Sequence, residues 1–288
     1  MPSEIEASPL GPFGVEVKAD LTDLDDAARA RLRDLYVAEG LLVIRDQALS
    51  MAEQIELCGI FGPIVDHPFE NFYVSNTRQD GVLGTRELLF HNDVPFLPAP
   101  YQGVSMLAIE VSDDAAPTRF ASAFRAHERL PADLRERVAA LNGLQVRERV
   151  RSRRTKLSDL EPADMCTVHP VVRRQAETGR PYLFVNEDMT ACIIGLAEAE
   201  SDALLDELFD HIYAEDQIYD HHWRVGDLVI WDNLAVQHAR KHALGAERTL
   251  QRVTIAQLGY AEQYPADCMS SDLHNETLLA PELSASGL

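Results

Sequence analysis

Two stretches far apart in the chain carry side chains that could together hold a metal ion. His91 and Asp93 stand two positions apart, so in an extended segment both project to the same face. His238, at the end of the stretch 231–238, is the candidate for a third ligand. Two imidazoles and one carboxylate on one face of an octahedral ion hold Fe(II) and leave positions open for substrate and oxygen chemistry. The sequence therefore predicts an iron site formed by these three residues.

Two arginines follow the third predicted ligand. Arg248 lies ten residues after His238, and Arg252 lies fourteen after it, at the start of an apolar run. A dicarboxylate that chelates iron at one end needs a fixed cation for its other end, and arginine offers a planar bidentate fork. A surface position is the alternative for each arginine taken singly. That alternative is weaker for the pair, because both follow the same predicted ligand closely in the sequence. We therefore expect Arg248 to bind the distal carboxylate of an iron-chelating cosubstrate.

Other residues near these stretches have ordinary explanations beside functional ones. An H-x-D triplet alone is a weak signal, because a chain with ten histidines and many aspartates can match it by chance. Phe96, three residues beyond Asp93, could line a substrate cavity, although aromatic residues more often belong to a core. The adjacent His221 and His222 do not favour a second metal site, because neighbours in a strand point to opposite faces.

Apolar periodicity predicts the elements that must carry these side chains. Residues 103–111 suit a central strand, and residues 169–172 and 182–186 flank a glycine-containing turn that is typical of a hairpin. Many short strands, few helices and no regular βαβ alternation favour a mainly β fold with flanking helices and a double-stranded β-helix (jelly-roll, cupin-like) core. Further strands are predicted at 11–20, 41–45, 222–232 (strand, Gly-Asp turn, strand) and 252–258, and helices at 21–39, 50–61, 121–144 (broken at Pro131) and 197–213.

Capping residues predict where the first two helices begin and end. Thr22 or Asp23 could cap the first helix, and Gly40 is expected to end it. The second helix starts on Ser50-Met51-Ala52-Glu53, which has the spacing of a capping box. The polar segment 66–88 that follows is predicted to be loop-rich and to lead into the ligand strand.

Composition limits the class of protein. The 288 residues lack repeats and low-complexity linkers, so we expect one domain over 1–288, with a core of about 15–258 and a peripheral tail at 262–288. A net charge of −21 argues against nucleic acid as a partner. Four cysteines without C-x-x-C spacing suit a reducing compartment. Because neither a secretory leader nor an apolar run of about 18 residues occurs, the sequence predicts a cytoplasmic protein without a membrane partner.

Four motifs occur in a fixed order along the chain. They are His91-Asn92-Asp93, the block His169-Pro170-Val171-Val172 to Glu177-Thr178-Gly179-Arg180 and Phe184-Val185-Asn186, the block Gly226-Asp227-Leu228-Val229-Ile230-Trp231-Asp232-Asn233 to Gln237-His238, and Arg248 with Arg252. Together they resemble the taurine dioxygenase family of Fe(II)- and 2-oxoglutarate-dependent oxygenases, which includes the phenoxyacetate dioxygenases. The resemblance extends from Val15 to Leu258.

This resemblance implies a set of cofactors and a role for individual residues. Fe(II), 2-oxoglutarate as cosubstrate and O2 would all be required. The implied roles are iron ligation for His91, Asp93 and His238, binding of 2-oxoglutarate for Arg248 and Thr118, and contact with an anionic substrate for Arg252 and His67.

The implied reaction is the hydroxylation of a C–H bond in a small, anionic organic substrate, with release of succinate and CO2. Asp93 argues against an aliphatic halogenase, which needs the position of that carboxylate vacant for halide. Two alternatives stay open: a non-catalytic jelly-roll protein that binds a metal, and a cupin-type dioxygenase that needs no cosubstrate. Neither alternative explains an arginine at position 248, because neither includes a cosubstrate carboxylate for it to bind. Assembly into a homo-oligomer also stays open.

Overall fold

Strands dominate the described part of the chain, and helices flank them. The computed structural model describes residues 5–65, 71–83, 87–148, 153–161, 164–241 and 246–263. The strands are β1 (Glu6–Pro9), β2 (Val15–Lys18), β3 (Leu41–Ile44), β4 (Phe72–Ser75), β5 (Gly81–Leu83), β6 (Leu88–His91), β7 (Gly103–Val111), β8 (Thr118–Ser122), β9 (Asn142–Val146), β10 (Cys166–Pro170), β11 (Val172–Arg174), β12 (Pro181–Leu183), β13 (Thr190–Ile193), β14 (Ile218–His221), β15 (Leu228–Asp232), β16 (Val236–Arg240) and β17 (Arg248–Ile255). The helices are α1 (Asp26–Glu39), α2 (Met51–Cys58), α3 (Ala123–Arg129), α4 (Ala132–Val138), α5 (Glu198–Ile212) and α6 (Tyr260–Gln263), with 3-10 turns at Leu157–Asp159 and Glu215–Gln217.

Two sheets form the centre of the fold. In spatial order the larger sheet is β1-β2-β3-β15-β7-β17-β4-β5, and the smaller is β14-β8-β16-β6. Phe120 and Val236 of the smaller sheet share a buried cluster with Trp231 of the larger, and the rings of Phe120 and Trp231 lie 5.3 Å apart. Sheets that share an apolar core in this way form the jelly roll. The predicted mainly β fold with flanking helices is therefore confirmed.

The first helix begins later than its sequence suggests. The Asp25 side chain accepts a hydrogen bond from the backbone N–H of Ala28 at 2.8 Å, so α1 starts at Asp26. Asp20 accepts from both the backbone N–H and the hydroxyl of Thr22, at 3.0 and 2.6 Å, which ties Thr22 into the preceding turn. The prediction that Thr22 or Asp23 caps this helix was therefore wrong.

Other helix ends follow the predictions. Gly40 ends α1 with a φ of +72°, a conformation in which a side chain would be strained and its Cβ would meet Val236. The capping box of Ser50 and Glu53 at the start of α2 is present. These two helices pack on the outer face of the larger sheet, where Leu32 and Leu57 join its buried side chains.

The helix predicted over 121–144 was wrong in its extent. Helices α3 and α4 are separated at Pro131 as predicted, but α4 ends at Val138. Residues 142–146 form β9, which pairs with β10 and β13. Its apolar spacing also fits a helix, and only strands later in the chain decide that Gln145 and Val146 are buried in a sheet. The other predicted helix of this half is confirmed as α5.

Two strands at the end of the larger sheet were not expected. The loop-rich prediction for 66–88 was wrong for 72–75 and 81–83, which form β4 and β5, while 66–70 and 84–86 lie outside the described residues. The last strand, β17, begins at Arg248 and not at Arg252. Alternation along a strand therefore puts both arginines on one face.

Four further expectations concern the hairpin, the central strand, the strand pair across 222–232 and membrane-spanning helices. The predicted hairpin is confirmed by the pairing of β11 with β12, but His169 and Pro170, expected in its first strand, belong to β10, which pairs with β9. The central strand at 103–111 is confirmed as β7. The pair predicted across 222–232 is displaced at its first strand, since β14 ends at His221. Among the described residues no helix is long and apolar enough to cross a bilayer.

Candidate metal centre and its pocket

Strand register brings the predicted metal ligands together. His91 is the last residue of β6 and His238 is the middle residue of β16, and the antiparallel pairing sets the two opposite each other. Their ring centroids lie 4.2 Å apart. One ligand atom from each of His91, Asp93 and His238 lies within 4.8 Å of the other two. Residues separated by 147 positions in the sequence (238 − 91) thus meet at one point.

The protonation of the rings makes this point attractive to a cation. The Leu89 carbonyl can only accept, so the His91 Nδ1, 2.7 Å away, carries the ring proton. In a neutral ring the Nε2 then presents a lone pair 3.5 Å from Asp93 Oδ1. The Nε2 of His238 lies 3.9 Å from the same oxygen. Lone pairs that converge on a carboxylate repel it unless a cation lies between them, so the donor set fits Fe(II).

The surroundings set the protonation state of each donor. Burial lowers the pKa of His238 to about 3, so this ring is neutral. Burial acts to raise the pKa of Asp93, but Arg252 and the two imidazoles outweigh it and hold that pKa far below its usual range. Burial also opposes a charge on His91, yet Asp93 raises the pKa of that ring. A metal bound to the Nε2 of His91 would displace the proton that the raised pKa favours on that atom.

Asn92 and Asn233, for which no role was predicted, hold the Asp93 loop. The Asn233 Oδ1 accepts from the Asp93 backbone N–H at 2.7 Å, and its Nδ2 donates to the Asp93 carbonyl at 3.1 Å. Asn92 donates to the Asn233 carbonyl at 2.6 Å. The next residue, Val94, has a φ of +48°, which a non-glycine residue keeps only where its surroundings enforce it. Both asparagines stand inside the sequence motifs that contain the ligands, and that position was the signal that could have identified them.

Arg252 contacts a predicted ligand directly. Its Nη2 donates to Asp93 Oδ2 at 2.8 Å. The guanidinium lies 4.7 Å from the Phe72 ring centroid and 5.8 Å from that of Tyr101. The bond to Asp93 uses one of the five N–H donors of the guanidinium. This arginine therefore fixes one carboxylate oxygen and leaves the other, Oδ1, to face the imidazoles.

Arg248 has a buried charge without a carboxylate partner among the described residues. Its side chain is 8% exposed, and its Nη1 donates to the Ala116 carbonyl at 3.3 Å. Burial lowers its pKa to about 10, so it remains charged at neutral pH. A buried guanidinium without a counter-ion is costly, and an anionic ligand would remove that cost.

Thr118 lies two residues beyond the carbonyl that Arg248 contacts. It is the first residue of β8, is buried, and pairs in register with Arg240 of β16. Its Oγ1 accepts a hydrogen bond from Trp223 Nε1 at 2.9 Å. Thr118 and the contact of Arg248 at Ala116 thus occupy one short segment beside the metal-ligand strand.

The remaining predicted substrate residues are described only in part. Phe96 is 4% exposed and packs in a cluster with Leu97 and Tyr101. Its ring also contacts that of Tyr260 edge to face, at 6.5 Å between centroids. It therefore belongs to an apolar cluster beside the Asp93 loop. His67 lies outside the described residues.

Known proteins are similar to this chain in sequence and in fold. The family model for "Taurine catabolism dioxygenase TauD, TfdA family" matches residues 6–254. The (S)-phenoxypropionate/alpha-ketoglutarate-dioxygenase of Sphingobium herbicidovorans is 32% identical over 248 residues, which cover 78% of this chain and 85% of that protein. The alpha-ketoglutarate-dependent 2,4-dichlorophenoxyacetate dioxygenase of Cupriavidus pinatubonensis is 32% identical over 284 residues, covering 87% and 97%. A solved taurine dioxygenase from Burkholderia xenovorans superimposes with a TM-score of 0.73 at 25% identity, covering 90% of this chain and 94% of that one.

Proposed function

Since this chain belongs to the taurine catabolism dioxygenase TauD, TfdA family and is an Fe(II)- and 2-oxoglutarate-dependent dioxygenase, we propose that it hydroxylates a C–H bond of a small organic anion. The reaction consumes O2 and 2-oxoglutarate and releases succinate and CO2. A non-catalytic metal protein and a dioxygenase without a cosubstrate, the two alternatives, receive no support from the relatives, whose names include alpha-ketoglutarate.

His91, Asp93 and His238 are the proposed iron ligands. Bound iron would supply the oxidising chemistry at its open coordination positions. The protein's part is to hold the donors: β6 and β16 fix the imidazoles in register, and Arg252 orients the carboxylate. The proposal is supported by the mutual distance of their ligand atoms, at most 4.8 Å.

Arg248 and Thr118 are the proposed binding residues for the distal carboxylate of 2-oxoglutarate. The observation that carries this proposal is the buried charge of Arg248, which has no carboxylate partner in the described ranges. A charge-assisted bond to the cosubstrate would compensate it. The hydroxyl of Thr118 would add a second donor from the segment that Arg248 already contacts.

The proposed substrate is a carboxylic or sulfonic acid that carries an apolar or aromatic group. Two relatives are named for phenoxypropionate and 2,4-dichlorophenoxyacetate, which are acids of this kind. In this chain the donors of Arg252 beyond its bond to Asp93 would bind the acid, beside the rings of Phe72 and Tyr101. Phe96 and His67 are the other proposed substrate residues.

Succinate release under air, with and without Fe(II), tests this proposal. Phenoxyacetate and phenylmethanesulfonate present two different acid groups on an aromatic body, and phenoxyacetamide is the uncharged match of the first. We expect one of the acids to stimulate Fe(II)-dependent succinate release and the amide to leave the basal rate unchanged. Equal stimulation by acid and amide would refute the anionic substrate, while the reaction class would stand.

The wider setting is proposed from the sequence and the fold. We infer one domain over 1–288 in a cytoplasmic protein whose partner is a small molecule. The net charge of −21 supports the proposal that nucleic acid is not a partner. We also propose that the protein has no membrane partner. Light scattering coupled to size exclusion would decide between a monomer and a homo-oligomer.

A further inference from the structure

The buried indole of Trp223 points its only donor at the proposed cosubstrate site. Its Nε1 donates to Thr118 Oγ1 at 2.9 Å. Trp223 is 6% exposed and Thr118 is 5% exposed, so water does not compete freely for this bond. The two residues are 105 positions apart, and the contact therefore depends on the assembled fold.

The chemistry of the two groups fixes the direction of the hydroxyl proton. An indole N–H can only donate, so Thr118 must be the acceptor in this bond. A threonine hydroxyl has one proton, and its rotor turns to suit its partners. Because one lone pair of Thr118 is held by Trp223, the proton is turned toward a different partner. That partner must be an acceptor such as a carboxylate oxygen.

Trp223 packs against a buried imidazole that lies beside a buried carboxylate. Its ring meets that of His221 edge to face, at 4.5 Å between centroids and 87° between planes. The His221 Nε2 lies 3.1 Å from Asp227 Oδ2, and that oxygen also accepts from Arg45 at 2.6 Å. His221 and Asp227 are at most 1% exposed. These contacts limit the rotation of the indole, so the position of its N–H is set before any ligand binds.

We propose that Trp223 is a positioning residue for the cosubstrate: its indole N–H orients the Thr118 hydroxyl as a donor to the distal carboxylate of 2-oxoglutarate. The inference rests on the proposed role of Thr118 at that site. It gives the chain a means of selecting keto acids that end in an acceptor. The same arrangement disfavours a distal group that can only donate.

The second tryptophan of the chain provides a buried indole N–H without such a bond for comparison. The sequence contains two tryptophans, and the Nε1 of Trp231 is buried without a hydrogen-bond partner in the part of the chain that the structure describes. One indole N–H is therefore coupled to the pocket hydroxyl, and the other is not. Their NMR signals report the two situations in the same sample.

A double-mutant cycle with Trp223→Phe and Thr118→Val tests the inference. Calorimetric titration of the Mn(II)-loaded protein gives the affinity for 2-oxoglutarate and for 2-oxovalerate, which lacks a distal carboxylate. We expect Thr118→Val to weaken 2-oxoglutarate binding about tenfold and Trp223→Phe about fivefold, as for one lost or misdirected bond to a charged group. In the Thr118→Val background, Trp223→Phe should change nothing further. Binding of 2-oxovalerate should be unaffected throughout.

Two results of the cycle would overturn the inference. If Trp223→Phe weakens binding as much in the Thr118→Val background, or weakens 2-oxovalerate equally, the tryptophan acts through packing alone. If Thr118→Val weakens 2-oxoglutarate binding while Trp223→Phe does not, the proposed cosubstrate role of Thr118 survives and the inference fails. If Thr118→Val itself has no effect, the role proposed for Thr118 fails, and the inference fails with it.

A measurement that does not depend on folding of the tryptophan variant uses the indole N–H signals. With Zn(II) as a diamagnetic metal, we expect 2-oxoglutarate to shift one of the two signals and to slow its hydrogen exchange. The same signal should move in Thr118→Val, because it belongs to the indole that loses its acceptor. If the signal moved by Thr118→Val does not respond to 2-oxoglutarate, the inference is refuted.

Discussion

Replacing Arg248 with methionine should stabilise the metal-free protein and at the same time weaken cosubstrate binding. Burial without a carboxylate partner among the described residues lowers the pKa of this arginine from 12.5 to about 10. At about 1.4 kcal/mol for each tenfold change in proton affinity, the charge costs the folded state about 3 kcal/mol. Methionine has a similar reach and no charge, so up to that amount should appear as an increase in the free energy of unfolding.

Cosubstrate binding should change in the opposite direction, with a loss of binding free energy that is comparable to the gain in stability. Truncating one partner of a buried charge pair costs about 2–5 kcal/mol, so the dissociation constant for 2-oxoglutarate should rise roughly 30-fold or more. Urea denaturation of the metal-free protein gives the stability, and calorimetric titration of the Mn(II)-loaded protein gives the affinity. A gain in stability together with a loss of binding is typical of a residue retained for function.

Arg119 provides the matched control. Its side chain is 12% exposed, and it pairs with Glu215 at 2.6 Å and Asp220 at 2.9 Å. Arg119→Met should therefore not raise the free energy of unfolding, and it should leave 2-oxoglutarate affinity unchanged. The reasoning is refuted if Arg248→Met binds 2-oxoglutarate as tightly as the unmodified protein, or if it is the less stable of the two without ligand.

Three further outcomes are expected. Asp93→Ala should abolish metal binding, measured by competition with a chelating dye, and should lower the free energy of unfolding by about 3 kcal/mol because it leaves Arg252 buried and unpaired; adding Arg252→Met should restore most of that stability, and no restoration would contradict the pairing. Asn233→Ala removes two bonds to the Asp93 backbone and should weaken metal binding roughly 10- to 100-fold in the same assay; unchanged affinity would rule out this role. Burial raises the pKa of Asp232 to about 6 from an ordinary 3.8. The protonated carboxyl therefore contributes its full share to the free energy of unfolding below pH 3.8, and this contribution is lost as the pH rises through 6. Asp232→Asn should therefore stabilise the protein at pH 7.5 by up to about 3 kcal/mol and much less at pH 4.5, and an equal effect at both pH values in urea denaturation would refute the assignment.

Local signals identified much of the framework in advance. The capping box at Ser50, the glycine at the end of α1 and the hairpin of β11 and β12 each depend on a few adjacent residues. The sequence carries those rules locally, so they can be predicted without knowing the fold. The metal-ligand set could be proposed because its motifs occur in a fixed order, although their distance apart in sequence hid how they meet.

Long-range pairing explains what the sequence did not reveal. Residues 142–146 satisfy a helical spacing locally, and only β10 and β13, which come later in the chain, make them a strand. The bond between Arg252 and Asp93 spans 159 positions. Arg252 was therefore predicted to contact the substrate, and its bond to the iron ligand Asp93 was not foreseen. Asp25 was overlooked as a cap because Thr22 and Asp23, two nearby polar residues, were equally capable of the bond, and packing selected among the three.

The pairing of His238 with His91 restricts where the length of this chain can vary. A strand alternates its faces, so deleting one residue between Ala235 and His238 would turn the imidazole outward and destroy the centre even though every donor is still encoded. A deletion in a loop that carries neither Asp93 nor Asn233 would leave this geometry intact. Natural or engineered insertions and deletions that preserve activity should therefore lie outside β6, β16 and the two loops that contain Asp93 and Asn233.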